Sequence, residues 1–306
     1  MTRQEINEEK QKEIFKEQNK ENIKKSIKIF LKIILFFIIF ITIFFYYTTY
    51  ISTVKIQVRE YRINNKKIPS NFNGLKIIQL SDLHYGSTMF IKNVQEIVTL
   101  INERNPDLIV FTGDLINKDF KLSSKEQEKL INELKKLNAS LGKYAISGEE
   151  DLESFTTIFN QSDFTILSDE SELIYNDNIN PILLVGVTTP IKDNDSLETA
   201  YSYFKEPTHN PDIYTITLLH QPDYVDDIIN NYNTDLFLAG HSHNGNIRVP
   251  ILNYAMKKEG AKKYDQDYYD LENKQLFISS GLGTNNSNSI RLFCRPSINF
   301  FRLSNK

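Results

Sequence analysis

An unbroken apolar segment at residues 29–51 constrains the fold of this chain more than any other feature of its sequence. Its 23 residues, if helical, rise about 34 Å, enough to cross the roughly 30 Å hydrocarbon core of a bilayer. Lys32 is the only charge in it, so apolar side chains face every side, and Tyr46, Tyr47 and Tyr50 cluster at one end like an interfacial belt. The pattern favours a transmembrane helix over a buried core helix. A cleaved signal peptide fits less well, because the segment is too long and no cleavage site of small residues follows it.

The charges on either side of this segment predict its orientation. The lysines before or within it outnumber the basic residues just after it, and the positive-inside rule then places the N-terminus in the cytoplasm. We therefore expect a single-pass protein of the cell membrane that contacts the lipid bilayer through residues 29–51, with the rest of the chain after this segment extracytoplasmic. The basic residues are Lys20, Lys24, Lys25, Lys28 and Lys32 on the N-terminal side and Lys55, Arg59 and Arg62 on the other.

The rest of the sequence divides into three parts. Residues 1–28 are dense in Lys, Glu, Gln and Asn, which is typical of a polar, charged tail, either a solvated helix or disordered. Residues 52–73 read as a linker with an extended stretch, and residues 74–306 are long enough for one domain with a sizeable core. A formal net charge of -3 argues against nucleic acid as a partner, and no obligate protein partner is indicated. The lone cysteine, Cys294, excludes an internal disulfide framework and any Cys-based zinc or iron–sulfur site.

Short apolar runs alternate with amphipathic helical patterns through most of the last part. The runs at residues 75–81, 108–112, 143–147, 214–220 and 235–243 predict buried strands. Strand–helix–strand order implies an α/β fold with a largely parallel section, and ligands of such folds gather at the carboxyl ends of the strands. All the candidate chemical groups lie at such ends: Asp82, His84, Asp114, Glu149, Glu150, His220, His241 and His243.

The histidines indicate a metal centre. Four of the five follow strand candidates, whereas His209 lies in a polar loop and has no assigned role. Four imidazoles with the carboxylates of Asp82 and Asp114, and no thiolate, suit borderline divalent ions such as Mn, Fe, Zn or Ni. These ligands are too many for one tetrahedral ion. They suit two divalent metal ions about 3.5–4 Å apart that share a bridging carboxylate.

Four short blocks, each at the end of a strand candidate, carry most of these residues. They are SDLH (81–84), GD (113–114), LLHQP (218–222) and AGHSHNG (239–245). In order and spacing, over about residues 74–250, they resemble the D-x-H, G-D, H and G-H-x-H blocks of the calcineurin-like metallophosphoesterases. The tail at residues 281–293 resembles the end of the membrane-anchored, single-span branch of that family.

The resemblance implies a fold and a role for each ligand. The implied fold is α/β, a four-layer α/β/β/α sandwich of two mixed sheets with the metals at one edge, here preceded by one N-terminal transmembrane helix. The implied ligands are Asp82, His84 and His243 for the first metal, Asp114 as the bridge, and His220 and His241 for the second.

One block departs from the family pattern. Residues 148–151 read G-E-E-D, where the family has G-N-H-D or G-N-H-E. In the family the Asn binds the second metal, and the His stands over the substrate to stabilise charge or protonate the leaving oxygen. Glu149 can replace the Asn as an oxygen ligand. Glu150 replaces the His, and it can act as the general acid if burial or a neighbouring carboxylate raises its pKa. A further reading makes residues 149–151 a surface turn beside a degenerate metal site.

Charge counting shows what the two glutamates change. Two divalent ions, a bridging hydroxide and the two aspartates sum to about one positive charge, which attracts phosphate. Glu149 as a ligand removes that charge, and an ionised Glu150 makes the sum negative. We therefore expect an intact or near-intact metal site with altered or reduced hydrolysis, because loss of one acid catalyst typically costs about 10²–10⁴-fold.

Candidate substrate-binding groups are few. Arg291 in the terminal block can clamp a phosphate with two hydrogen bonds, although a surface or strand-edge role fits it equally well. Asn244 and Asn246 follow the last histidines. The sequence contains no G-x-S-x-G elbow and no G-x-x-x-x-G-K phosphate loop.

The sequence therefore predicts a membrane-anchored metallophosphoesterase, a hydrolase of phosphate esters or anhydrides that uses a dinuclear metal site and a metal-bound hydroxide. Asp114 and Glu150 are the predicted catalytic residues, and tethering at a bilayer suggests a phosphorylated, lipid-linked substrate. The alternative is a catalytically impaired pseudoenzyme that binds a metal or a phospholigand at the membrane, which the block at residues 148–151 favours. A purely structural metal site fits less well, because structural sites usually close around one ion.

Overall fold

The computed structural model divides the chain into two compact units, Met1–Thr48 and Thr49–Lys306. The first unit carries the apolar helix and the second carries the sheets. The residues described are 3–53, 55–151, 153–177, 179–191, 194–245, 247–249, 254–255, 257–285 and 290–306.

The first unit consists of a single helix, α1 (Arg3–Tyr46), of 44 residues. A short π-helical turn, Tyr47–Ile51, comes next in the chain. Within the described residues this is the one helix long and apolar enough, by length and composition, to cross a membrane, with a mean hydropathy of 2.8 and none of its apolar window buried. The apolar residues 29–51 are thus helical, as the sequence predicts, and the helix also continues back through the polar residues to Arg3.

The second unit alternates strands and helices. Its described strands, in chain order, are β1 Gln57–Asn64, β2 Lys76–Leu80, β3 Leu108–Thr112, β4 Lys143–Ile146, β5 Thr165–Ile166, β6 Glu170–Asn176, β7 Ile179–Gly186, β8 Thr215–Leu218, β9 Leu236–Ala239, β10 Arg248–Val249, β11 Tyr254–Ala255, β12 Tyr268–Leu271, β13 Lys274–Ile278 and β14 Ser297–Ser304. Its α-helices are α2 Ile91–Asn102, α3 Ser124–Leu134, α4 Glu153–Gln161, α5 Asn194–Ala200 and α6 Val225–Ile229.

Two mixed sheets have parallel strands at their centres. The first has the order β1-β14-β2-β3-β4-β5, with β2 to β5 parallel and β14 antiparallel to β2. The second has the order β12-β13-β9-β8-β7-β6, parallel from β13 to β7 and antiparallel at both edges. A separate ribbon pairs β10 with β11. The five apolar runs predicted as buried strands lie at β2, β3, β4, β8 and β9.

The extended stretch predicted within the linker segment forms a strand, whose pairing the sequence did not predict. β1 lies within residues 52–73 and pairs with β14 in parallel along its whole length, from Gln57 to Asn64. Ile63 on this strand is fully buried and belongs to an apolar core of the second unit. The partner strand is the last one in the chain, and a local sequence pattern carries no information about so distant a pairing.

Three apolar cores separate four layers. On β2, Ile78 joins a core with residues of α2, α3 and α4, while its neighbour Ile77 points to the opposite face, into the core between the two sheets. A third core lies between the second sheet and the helices α5 and α6. These layers confirm the α/β/β/α sandwich of two mixed sheets. Because both faces of each sheet are covered, its central strands are continuous apolar runs rather than alternating ones.

Candidate metal centre

The predicted ligands follow the carboxyl ends of five central strands, where the two sheets face each other. Five of these ligand residues lie on sharp turns and have a left-handed backbone φ of 42° to 64°. They are Asp82, His84, Asp114, His241 and His243. Such a conformation costs a non-glycine residue about 1–3 kcal/mol and is found preferentially at functional sites. The turns also pack tightly, since a Cβ on Gly148 would lie 2.8 Å from the main-chain nitrogen of Asp114.

One group of ligand atoms is formed by Asp82, His84 and His243, whose candidate atoms all lie within 4.8 Å of one another. His243 Nε2 is 3.0 Å from Asp82 Oδ1, and His84 Nε2 is 3.1 Å from His243 Nε2. All three residues are fully buried. The structure therefore brings together the three residues predicted for the first metal.

A second group contains Asp114, Glu149, His220 and His241. His220 Nε2 lies 3.0 Å from Glu149 Oε2 and 3.2 Å from Asp114 Oδ2, and His241 Nδ1 lies 2.7 Å from Glu149 Oε1. Asp114 Oδ2 is also 3.7 Å from Nε2 of His84 in the first group. This carboxylate oxygen is thus in the position that a bridging ligand requires.

Hydrogen bonds on the far side of two imidazoles orient them toward the centre. His220 Nδ1 lies 2.5 Å from the carbonyl of Thr112, and His241 Nε2 lies 2.5 Å from the carbonyl of Glu259. A carbonyl only accepts, so each of these nitrogens is the donor. In the neutral ring the opposite nitrogen, which faces the carboxylates, then carries a lone pair, as a metal ligand requires.

These contacts test whether divalent ions fit the centre. His220 Nε2 and His241 Nδ1 are buried and make no hydrogen bond of acceptable geometry within the described residues. A buried lone pair beside a carboxylate is unfavourable unless a positive charge lies between them. The donors are nitrogen and oxygen only, which suits borderline divalent ions. The residues present therefore fit the metals that the resemblance implies.

The pKa values show the same demand for positive charge. Burial raises the pKa of Asp82, but the neighbouring His243 and His220 outweigh it and hold that pKa well below its usual value. Burial lowers the pKa of His220, but Asp114 and Glu149 raise it well above its usual value. The carboxylate of Asp82 is thus in its ionised, ligand-competent form, and it attracts either a proton or a cation to the imidazoles beside it.

Glu150 lies beside the centre, but its contacts differ from the predicted ones. Its Oε1 accepts a hydrogen bond of 2.9 Å from Asn285 Nδ2, and its Oε2 is 3.3 Å from His84 Nδ1. Burial raises the pKa of Glu150, but His84 and Asn285 outweigh it and lower the pKa to about 2. This direction is opposite to the raised pKa that a general acid at this position requires, because His84 and Asn285 lie next to the carboxylate.

The neighbouring Asp151 connects the turns after β3 and β4. Its carboxylate accepts hydrogen bonds of 2.8 Å from the main-chain nitrogens of Asp114, Leu115 and Gly148. Residues 149 and 150 form a turn in which Glu149 is exposed and Glu150 is 8% exposed, so only part of the block lies at the surface. The altered block is built into the centre.

Arg291 has a structural position rather than the predicted substrate-binding one. Its side chain is fully buried, and Nη1 and Nη2 donate to the carbonyls of Ser280, Cys294, Gly281 and Gly283 at 2.6 to 3.3 Å. Four backbone acceptors occupy the terminal nitrogens, so Arg291 has no free pair of donors for a phosphate.

Asn244, the other predicted substrate group, is also largely buried. Its Nδ2 donates to Asp267 Oδ1 at 2.5 Å, while its Oδ1 has no hydrogen-bond partner among the described residues. One donor of this side chain is thus already used. Asn246 lies outside the described residues.

The sequence analysis did not predict two polar residues that lie at the centre. Lys258 donates from Nζ to the carbonyl of His241 at 3.2 Å, and burial lowers its pKa even though Asp82 and Asp114 attract its charge. Asn285 contacts Glu150. Lys258 belongs to no recognisable block, and Asn285 lies in the tail at residues 281–293, whose resemblance assigns no role to it.

Known proteins resemble this chain over most of its length. The family model for calcineurin-like phosphoesterase matches residues 75–245. An uncharacterized metallophosphoesterase of Bacillus subtilis is 28% identical over 263 residues, covering 84% of this chain and 88% of that protein. A UDP-2,3-diacylglucosamine pyrophosphatase of Chlamydia muridarum is 26% identical, covering 77% of this chain and 86% of that protein. A zebrafish transmembrane protein with metallophosphoesterase domain is 26% identical, covering 74% of this chain and 53% of that protein. Since the family model spans more than half of its residues, this chain belongs to the calcineurin-like phosphoesterase family.

Proposed function

We propose that this chain is a membrane-anchored, metal-dependent hydrolase of phosphate esters or anhydrides. The observation that carries the proposal is the position of Asp114 Oδ2, 3.2 Å from His220 Nε2 and 3.7 Å from His84 Nε2, between two groups of ligands that are all buried except Glu149. One carboxylate shared by two imidazole groups is the arrangement of a two-ion phosphoesterase site.

Seven residues would hold the ions. Bound divalent ions supply Lewis acidity toward the phosphoryl oxygens and activate a water nucleophile for in-line attack. The chain's own contribution is to hold the ligands ionised or neutral as required and to keep their orientation through the carbonyls of Thr112 and Glu259. The ligands are Asp82, His84 and His243 for the first ion, Asp114 for both, and Glu149, His220 and His241 for the second.

Glu149 makes the proposed centre more negative than one with a neutral amide at this position. Lys258 supplies a compensating charge, because its ammonium group is held at the carbonyl of His241, next to the second group. We propose that Lys258 balances Glu149, so that an anionic phosphoryl group is not repelled. With Lys258 counted, the sum returns to about one positive charge, which supports hydrolysis rather than its absence.

The substrate proposal rests on the membrane helix and on two relatives. Helix α1 has the length and hydropathy of a membrane span, and one relative is named a transmembrane protein. Another is named a pyrophosphatase of UDP-2,3-diacylglucosamine, an acylated sugar nucleotide. We propose that the chain is a single-pass membrane protein with a cytoplasmic N-terminus, and that it hydrolyses a phosphorylated, lipid-linked substrate on the other side of the membrane.

A second candidate function is a membrane-tethered module that binds metal or a phospholigand without turnover. It is favoured by the contacts of Glu150, which faces His84 and Asn285 where the resemblance implies an acid over the substrate. In this case the centre binds ions, but hydrolysis is absent.

One experiment separates these functions. The full chain is purified in detergent, its bound metal is measured by elemental analysis, and hydrolysis of bis(p-nitrophenyl) phosphate and of p-nitrophenyl phosphate is assayed with Mn²⁺. We expect two ions per chain and slow, Mn²⁺-dependent hydrolysis that Asp114→Asn abolishes. Asp119→Asn is the matched control, because Asp119 lies on the same loop but is exposed. Absence of bound metal would contradict the hydrolase, and two ions without hydrolysis would favour the binding module.

A further inference from the structure

Glu150 contacts His84 at Nδ1, the ring nitrogen that is not directed at His243, and its carboxylate also lies within 4.8 Å of Asp114 in a third group of candidate ligand atoms. His84 Nε2 points toward the first group, 3.1 Å from His243 Nε2, while His84 Nδ1 is 3.3 Å from Glu150 Oε2. His84 is fully buried and Glu150 is 8% exposed. The carboxylate and the ligand group are therefore on opposite nitrogens of one ring.

Two further contacts hold Glu150 in place, one to its carboxylate and one to its backbone. Asn285 Nδ2 donates to Glu150 Oε1 at 2.9 Å, and the main-chain nitrogen of Glu150 donates to Asp114 Oδ1 at 3.1 Å. The second contact ties the backbone of Glu150 to the proposed bridging ligand. Little freedom is left for this side chain to swing toward a substrate.

Two of the other three imidazoles have a comparable arrangement, whereas Nδ1 of His243 has no hydrogen-bond partner among the described residues. His220 and His241 each donate their far N–H to a backbone carbonyl. His84 Nδ1 has Glu150 Oε2 at 3.3 Å in the corresponding place, and neither of these two buried atoms makes a hydrogen bond of acceptable geometry within the described residues. A carboxylate behind a ligating histidine fixes its ring orientation and increases its basicity.

We propose that Glu150 is a positioning residue, whose carboxylate accepts the Nδ1–H of His84 and thereby aims Nε2 at the first metal ion. This inference rests on the proposed function only in that it requires an ion at Asp82, His84 and His243. It assigns to the altered block a role in metal binding in place of the proton-transfer role that we first predicted for Glu150.

Metal titration tests the proposal without relying on turnover. The full chain in detergent is stripped with a chelator, dialysed, and titrated with Mn²⁺ by calorimetry. We expect Glu150→Ala to lower the affinity for one of the two ions by about 10- to 100-fold, and Glu150→Gln to lower it less. The affinity for the other ion should be nearly unchanged. Glu150→Asp should recover part of the loss. Glu153→Gln is the matched control, since Glu153 is exposed and lies three residues away.

A double-mutant cycle identifies the residue through which Glu150 acts. If it acts through His84, then adding Glu150→Ala to His84→Gln changes Mn²⁺ affinity no further, whereas a general structural effect persists in that background. Circular dichroism monitors folding, and if Glu150→Ala fails to fold, the isosteric Glu150→Gln carries the cycle.

The outcomes distinguish this proposal from the proposed function. The positioning role alone is overturned if the Glu150 variants bind both ions with wild-type affinity. It is also overturned if Glu150→Ala lowers Mn²⁺ affinity as much in the His84→Gln background as in the wild-type chain. Two ions bound, the expected cycle and no hydrolysis support the positioning role and contradict the hydrolase. A wild-type chain that binds no Mn²⁺ overturns both.

Discussion

Replacing Arg291 by Met tests whether this residue is a structural element or a phosphate clamp. The guanidinium is fully buried and donates to four carbonyls, three of which belong to residues 280–283, the segment after β13. That segment contacts the candidate centre, because the main-chain nitrogens of Leu282 and Gly283 donate to the carbonyl of Asp82. Met keeps much of the side-chain volume but removes every donor.

The expected loss of stability follows from the shortest contacts. The hydrogen bonds to the carbonyls of Ser280 and Gly283 are 2.7 and 2.6 Å long. A hydrogen bond that involves a charged group contributes about 1.5–3 kcal/mol, so these two alone contribute about 3–6 kcal/mol to the free energy of unfolding. For a unit of this size about 1 kcal/mol corresponds to roughly 2–4 °C in Tm, and the loss should therefore lower the Tm by at least about 6 °C.

The measurement combines a thermal melt with hydrolysis kinetics of the full chain in detergent. We expect Arg291→Met to lower the Tm while the remaining folded protein keeps the wild-type KM for bis(p-nitrophenyl) phosphate. Arg295→Met is the control, because Arg295 is exposed four residues further on and its loss should cost less than about 0.5 kcal/mol. An unchanged Tm together with a KM raised about tenfold would refute the structural role and restore Arg291 as a substrate clamp.

Four further outcomes test the proposed site. Mn²⁺ at about 100 times its Kd should add about 2.7 kcal/mol of stability, seen as a rise in Tm that a chelator reverses, and no rise would contradict a resident ion. Lys258→Met should weaken inhibition by inorganic phosphate about tenfold, the value of one charged hydrogen bond, whereas Lys257→Met at the exposed neighbouring position should not; equal effects would exclude Lys258 as the balancing charge. Because both oxygens of Glu150 face other side chains, we expect kcat/KM to fall steeply as the pKa of the leaving group rises across a series of aryl and alkyl phosphodiesters, and a flat plot would indicate an acid catalyst. Membrane fractions washed with alkaline carbonate should retain the chain, and deletion of residues 29–51 should release it; release of the intact chain would contradict the anchor.

The central strands and the ligand positions could be predicted because each depends on local sequence. A strand covered on both faces must be apolar throughout, and β2, β3, β8 and β9 are recognisable for that reason. Their carboxyl ends meet at one edge, so polar residues that follow them are brought together by topology alone. His84 and His220, 136 positions apart in the sequence, both lie within 3.7 Å of Asp114 Oδ2 for this reason.

Features that depend on distant partners could not be predicted. The strand β1 reads as a linker because its partner, β14, lies at the other end of the chain. Arg291 was a candidate phosphate ligand because the sequence does not show that backbone carbonyls surround it in the folded chain. Lys258 lies in a segment without a recognisable motif, and its proximity to His241 is a property of the tertiary structure.

The altered block at residues 148–151 shows why charge counting from the sequence alone is incomplete. Counted as two carboxylates facing the substrate, Glu149 and Glu150 make a phosphate site repulsive. In the structure they face different ways: Glu149 lies between His220 and His241, whereas Glu150 contacts His84 at Nδ1. On the proposed assignment only Glu149 adds negative charge among the ions, and Lys258 lies next to it to offset that charge. On this assignment Glu149 strengthens cation binding as a ligand and Glu150 strengthens it through His84. The block then provides no proton donor for the leaving group.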